Sequence, residues 1–163
     1  MCKFCETKPV YVLLNHKKLC KSCFIKYFEK KVLRTIRTQK MIDKKDKVVM
    51  ALSGGKDSVT TAHIINKILQ RKGETLTAIC IDEGIPNYRK KTINSAKKFC
   101  KKEGIKLNVT SSKQQFGFTL TQALKKLKIN PCTICGALRR YILNKKARKL
   151  KATKLVTGHN LDD

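Results

Sequence analysis

Eleven residues, Val48-Val-Met-Ala-Leu-Ser-Gly-Gly-Lys-Asp-Ser58, constrain this chain more than any other stretch. An apolar run enters a polar, glycine-bearing turn, and residues 59–71 then repeat with the period of a helix. A short buried strand, a glycine turn and a helix make the layout of a phosphate site on a parallel sheet. Gly54 and Gly55 allow a tight turn whose N–H groups point at one anion. The helix start adds unpaired N–H groups and the positive end of a dipole. Lys56 brings a mobile positive charge, Ser53 and Ser58 bring hydroxyls, and Asp57 stands where phosphate or its metal ion must be. The turn lacks the glycine spacing and Gly-Lys-Ser/Thr ending of the Walker loop.

Downstream, strands and helices alternate. Strands are expected over 47–52, 76–82, 105–110 and 154–157, and helices over 88–103, 119–127 and 136–150, with Gly73 and Gly104 as stop signals. A loop is expected around Phe116-Gly-Phe118. This alternation predicts a doubly wound parallel sheet with right-handed crossovers, a fold of the α/β class. The glycine turn, Asp82-Glu-Gly84 and Gly158-His-Asn160 all fall at strand carboxyl ends, where such sheets bind ligands.

The first 23 residues are different. Cys2-x-x-Cys5 and Cys20-x-x-Cys23 are separated by fourteen residues, slightly tight for a zinc ribbon but sufficient to set four thiolates around one tetrahedral ion. A short strand is expected over 11–14, and His16 is expected at the surface. A helix over 22–42 follows, capped by Ser22, with Phe24, Ile25, Phe28, Val32 and Ile36 on one face and Lys26, Lys30, Arg34 and Arg37 on the other. The expected division is a zinc module at 1–23, a basic helix and linker at 24–46, and a nucleotide domain at 47–163.

A second cysteine pair, Cys132 and Cys135, stands at an expected helix start beside Arg139 and Arg140. Two thiolates so placed suit a metal, an iron–sulfur cluster or thiol exchange. Cys80 and Cys100 fall in element interiors and read as small apolar residues. With 38 Lys+Arg against 11 Asp+Glu, the formal charge of +27 favours a polyanion, nucleic acid before an anionic membrane surface. No apolar run approaches the ~20 residues of a spanning helix, and none has the layout of a signal peptide. Cysteine pairs in such a chain indicate metal or redox chemistry rather than a disulfide framework.

Taken together, Ser53-Gly-Gly-Lys-Asp-Ser58 resembles the PP-loop of ATP pyrophosphatases, which cut ATP between the α and β phosphates and transfer AMP. The two N-terminal cysteine pairs, Pro131-Cys-x-x-Cys135 with its trailing arginines, and Gly158-His-Asn-x-Asp-Asp163 extend the likeness. The chain resembles the N-terminal part of the TtuA/NcsA family of tRNA 2-thiouridine synthetases, which shares its core with the TtcA 2-thiocytidine enzymes. The latter lack the N-terminal zinc module.

The resemblance implies a cytoplasmic enzyme that adenylates a tRNA uridine and then transfers sulfur to C2. It implies ATP and Mg²⁺ held by Ser53, Gly54, Gly55, Lys56, Asp57, Ser58, Ile81 and Gly158. Lys56, Asp57 and Asp163 are implied as catalytic, with Arg139 standing where the family often has a catalytic lysine. Cys132 and Cys135 are implied as two of three ligands to an iron–sulfur cluster, and the third is absent from this chain. The implied sulfur donor is a thiocarboxylated ubiquitin-like protein or sulfide. Family members continue well beyond the position of Asp163, so the expectation is a fragment or half of a split enzyme, completed by a second copy or a C-terminal-half polypeptide. Other PP-loop ligases, a 2-thiocytidine synthetase and a non-catalytic zinc-ribbon RNA-binding fragment are the competing readings.

Overall fold

The computed structural model describes residues 1–126 and 130–160. It divides into two compact units, Met1–Lys44 and Lys45–Asp163.

In the first unit, β1 (Tyr11–Val12) and β2 (Lys18–Leu19) pair antiparallel, and α1 (Lys21–Thr38) follows at once. The core is minute. Leu19, Cys2 and Cys20 are buried, with Leu13, Phe24 and Tyr27 packed against them. α1 is shorter than the expected 22–42, and its N-cap is Cys20, not Ser22. The Ser22 hydroxyl lies 3.3 Å from the Cys20 sulfur instead, since a capping residue must precede the first turn and Ser22 is already inside it. The expected apolar face is also only partly realised. Ile36 is buried, whereas Ile25 and Phe28 are 46% and 41% exposed. Tyr27, which the periodic reading passed over, packs inward.

The second unit is a four-stranded parallel sheet in the order β5-β4-β3-β6. Its strands are β3 (Val48–Ala51), β4 (Thr77–Asp82), β5 (Lys106–Ser111) and β6 (Lys154–Val156). Its helices are α2 (Lys56–Gln70), α3 (Tyr88–Glu103), α4 (Ser112–Phe116), α5 (Leu120–Lys126) and α6 (Pro131–Lys149). The chain winds outward from β3 to β4 to β5, then returns through α4, α5 and α6 to lay β6 on the other side of β3. Strand order therefore reverses between β3 and β6, which opens a crevice at their carboxyl ends.

Val48, Val49 and Met50 of the central strand β3 are all buried, as a strand covered on both faces requires. Ile142 and Leu143 of α6 close one face over Val49, Ile79 and Ile81. α2 and α3 are tied together by His63 Nδ1 and Glu103 Oε2, 2.9 Å apart, and by the Asn66 amide donating to the Glu103 carbonyl at 2.9 Å. Gly104 ends α3 in the left-handed conformation, as expected of a stop signal. Cys80 and Cys100 are buried, and burial raises both thiols, that of Cys100 to about 11. They pack as small apolar groups.

Three expected boundaries move. α2 begins at Lys56 rather than Val59, which places Lys56, Asp57 and Ser58 in its first turn. α6 begins at Pro131 rather than Gly136, with the Asn130 side chain capping the Cys132 amide at 2.9 Å. Part of the loop expected before Phe118 is α4, opened by a capping box between Ser111 and Gln114. The expected helix end at Leu127 lies outside the described residues.

Candidate active site

A cleft of about 200 Å³ lies at the carboxyl ends of β3 and β6. Its floor is the turn from Leu52 to Ser58. Gly54 has φ +87°, and a Cβ placed there would sit 2.1 Å from the Thr92 carbonyl oxygen of α3, so the loop and α3 touch backbone to backbone. The Ser53 and Ser58 hydroxyls are 2.9 Å apart, and Ser58 donates to the Gly55 carbonyl at 3.0 Å. Among the described residues no side chain caps α2, so the amides of its first turn are left for a ligand with negative charge. Lys56, 89% exposed, rests its ammonium 3.0 Å from Asp57.

β6 delivers the opposite wall. A Cβ on Gly158 would meet the Ser58 backbone nitrogen at 2.8 Å and its Cα at 2.7 Å, so only glycine lets the Thr157–His159 turn lie on the start of α2. Of the expected nucleotide residues, Ser53, Gly55, Asp57, Ser58, Ile81 and Gly158 line this one cleft. Gly54 supports it from behind, and Lys56 stands at its mouth folded onto Asp57. Asp163 lies outside the described residues.

Two further residues, outside the expected catalytic and nucleotide set, complete the site. Glu83 is 2% exposed and Arg89 6%. Arg89 Nε donates to the Ile81 carbonyl at 2.7 Å, joined there by Nη2, and Nη1 donates to the Ser53 carbonyl of the phosphate loop at 2.8 Å. The same Nε lies 2.6 Å from Glu83 Oε2. Its hydrogen points at the Ile81 carbonyl, so this contact is an ion pair and Oε2 accepts no hydrogen bond among the described residues. Arg139 Nε and Nη2 both approach Glu83 Oε1 at 3.0 Å, and Nη2 also donates to the Cys135 sulfur at 3.4 Å. The second cysteine pair is thus one side chain away from the cleft. Cys132 is exposed and Cys135 half-buried in the first turns of α6. Sequence offered a faint signal for Glu83, which follows a strand end in Asp82-Glu-Gly84, and none for Arg89 amid lysines.

The first unit carries its own constellation. The sulfurs of Cys2, Cys5, Cys20 and Cys23 lie within 4.8 Å of one another, the sole group of three or more metal-ligating side chains among the described residues. Cys5 is 3.4 Å from Cys20 and 3.7 Å from Cys23. Sulfurs 2.3 Å from a tetrahedral ion sit ~3.8 Å apart, so the four thiols already match a metal centre. The Ser22 hydroxyl, with the Cys23 amide, pulls the Cys20 thiol down to about 6. His16 stays outside this group and is exposed, as expected.

Comparison with known proteins decides the family. A family model described as the PP-loop domain matches residues 25–163. The chain belongs to the PP-loop family. This PP-loop protein is 38% identical over 164 residues to tRNA-5-methyluridine(54) 2-sulfurtransferase of Pyrococcus horikoshii, covering 99% of the chain and 51% of the relative. It is 36% identical over 170 residues to cytoplasmic tRNA 2-thiolation protein 1 of Chlamydomonas reinhardtii, covering 100% of the chain and 47% of the relative. Among solved structures, U34-tRNA thiolase NcsA of Methanococcus maripaludis, described with its [4Fe-4S] cluster, superposes with a TM-score of 0.87 at 36% identity. That match covers 99% of this chain and 54% of the thiolase. The chain spans about half the length of the curated relatives it matches.

Proposed function

We propose that this PP-loop protein carries out ATP-dependent 2-thiolation of tRNA. The observation that carries the reading is the Glu83–Arg139–Cys135 contact, which ties a thiol pair to a phosphate cleft. Ligation and amidation need a phosphate cleft but no soft sulfur ligand; sulfur transfer uses both. The relatives' names point the same way.

In this reading ATP lies in the cleft with its phosphates on the Ser53–Ser58 loop, and Ile81 and Gly158 bound the rest of the nucleotide. Lys56 swings off Asp57 onto the phosphates, and the Asp57 carboxylate would then be free to hold Mg²⁺, which would neutralise phosphate charge. The uridine O2 attacks the α-phosphorus, the bond to the β-phosphate oxygen breaks, and pyrophosphate leaves. The loop amides and Lys56 stabilise the charge that develops on it. Sulfur then adds at C2 and AMP departs with O2. By the family resemblance Asp163 matches an acidic residue implicated in catalysis.

Cys132 and Cys135 fit two thiolate positions of an iron–sulfur cluster, being adjacent in one helical turn, accessible and beside a cationic donor. Such a cluster supplies a site for the sulfur that is transferred. The donor would be a thiocarboxylated ubiquitin-like carrier or sulfide. Cys2, Cys5, Cys20 and Cys23 would hold Zn²⁺, and the setting is cytoplasmic. Among the described residues no helix is long and apolar enough to cross a membrane.

A groove of about 460 Å³ runs along α1, lined by Tyr27, Lys30, Lys31, Arg34, Gln39 and two threonines, with no acidic group lining it among the described residues. It suits the tRNA backbone. Counterion release then makes binding fall steeply with salt, by ~10³ to ~10⁵ between about 50 and about 200 mM if roughly 6–10 phosphates are neutralised. Filter binding across that range checks this, and a flat plot of log K against log salt would assign the basic surface to something else.

The nucleotide assignment is tested by Lys56→Ala with Asp57→Ala in an enzyme reconstituted with candidate partners. Pyrophosphate release should drop by about a hundredfold or more, given the worth of a single group that stabilises transition-state charge. Unchanged release in a folded double variant would sink it.

A further inference from the structure

Arg139 joins the phosphate cleft to the cysteine pair, yet its side chain is 43% exposed. Left to itself, such an arginine spreads over many rotamers, and ordering it costs side-chain entropy. What orders it is Glu83. One carboxylate oxygen takes both Nε and Nη2 of Arg139 at 3.0 Å, and the geometry leaves Nη2 within 3.4 Å of the Cys135 sulfur. Glu83 is itself immobile, being buried at the end of β4 with Arg89 Nε 2.6 Å from its other oxygen. Arg89 is in turn held by the carbonyls of Ile81 and Ser53. An unbroken series of polar contacts therefore runs from the phosphate loop through Arg89, Glu83 and Arg139 to Cys135.

The charge of Glu83 is what this arrangement needs. Two guanidinium groups meet on one buried carboxylate, and a neutral amide there would leave them facing each other uncompensated. A glutamine at 83 would keep the shape and one acceptor, but its NH₂ would point a donor at a cation.

We propose that Glu83 is a positioning residue, which fixes the Arg139 guanidinium at Cys135 and, through Arg89, in register with the phosphate loop. The importance of that placement for sulfur transfer rests on the thiolation reading; the placement itself does not. Nucleotide and sulfur chemistry would then share a single buried acid.

The test is a double-mutant cycle on the reactivity of Cys135. The full chain carries Cys132→Ser and is supplied with zinc to mask the first four thiols, while Cys80 and Cys100 are already buried. The rate of Cys135 alkylation by iodoacetamide is followed by mass spectrometry of its peptide. Glu83→Gln should shift that rate about fivefold or more, and Arg139→Gln should shift it in the same direction by the same factor, with no further change in the double variant. A carboxylate that merely supports the fold would act with equal strength in both Arg139 backgrounds, and that additive result, or no effect of Glu83→Gln in the folded chain, overturns the proposal. Should Glu83→Gln fail to fold, Glu83→Asp takes its place. It keeps the charge but draws the carboxylate back by one methylene, and the same non-additivity is expected. Alkylation requires neither ATP nor tRNA, so its outcome is independent of whether Lys56 and Asp57 act on a nucleotide.

Discussion

Replacing Gly54 with alanine should abolish nucleotide binding while costing the domain several kcal/mol of stability. Two effects add. At φ +87° an L-residue pays for the left-handed conformation, about 1–2 kcal/mol. The new Cβ would also stand 2.1 Å from the Thr92 oxygen and 2.9 Å from its carbon, both backbone atoms that cannot rotate away. Either the loop rises or the start of α3 retreats. Retreat is opposed by Arg89, which anchors that first turn of α3 to the Ser53 and Ile81 carbonyls. The loop must therefore give, and its amides lose their common aim. Titration calorimetry with a non-hydrolysable ATP analogue should show a loss of about a hundredfold or more, and urea unfolding a loss of ~2–4 kcal/mol. Gly73→Ala is the control. It also has positive φ, +73°, but a Cβ there meets nothing within 4 Å, so about 1 kcal/mol of backbone strain should be the whole effect. Near-native analogue binding by Gly54→Ala would mean that the loop does not carry the phosphates.

With Cys2, Cys5, Cys20 and Cys23 proposed as a zinc centre, a chelator is expected to unfold the Met1–Lys44 unit and leave the sheet domain standing. Leu19, Cys2 and Cys20 are the buried residues of the N-terminal core, and two of the three belong to the four-thiol group. The paired strands are two residues each, too short to persist alone. A structural zinc in such a module contributes on the order of 10 kcal/mol or more to folding. One equivalent of zinc is expected by elemental analysis. A strong chelator should release it with loss of the helical signal of α1, in a transition separate from melting of residues 45–163. Cys20→Ser should do the same without chelator. Absence of metal at stoichiometric level, or a chelator-insensitive N-terminal unit, would show that the four thiols are not a zinc centre.

The amino-acid sequence alone determined the phosphate loop, the alternation of strands and helices, and the four-thiol group. Each is written in residues close along the chain: an apolar run beside two glycines, apolar positions at fixed period, cysteines with two residues between them. Such patterns survive without knowledge of what lies opposite. Helix starts were less legible. α2 and α6 each begin earlier than their periodicity suggests, because a first turn is polar and has no completed period to read. Likewise the apolar spacing of α1 could not show that Tyr27 turns inward while Ile25 and Phe28 remain exposed, since burial depends on what covers a face.

Only the tertiary structure decided how the two chemistries meet. Arg89 reaches Ser53 across 36 residues and Arg139 reaches Glu83 across 56. Arg89 stands in the run Arg89-Lys-Lys91, where charge marks every position alike. Which cation turns into the crevice was settled by the parallel sheet, which brings the end of β4 under the first turn of α3 and beside α6. A buried carboxylate there demands cations, and it takes the ones the fold delivers, whatever their separation in sequence.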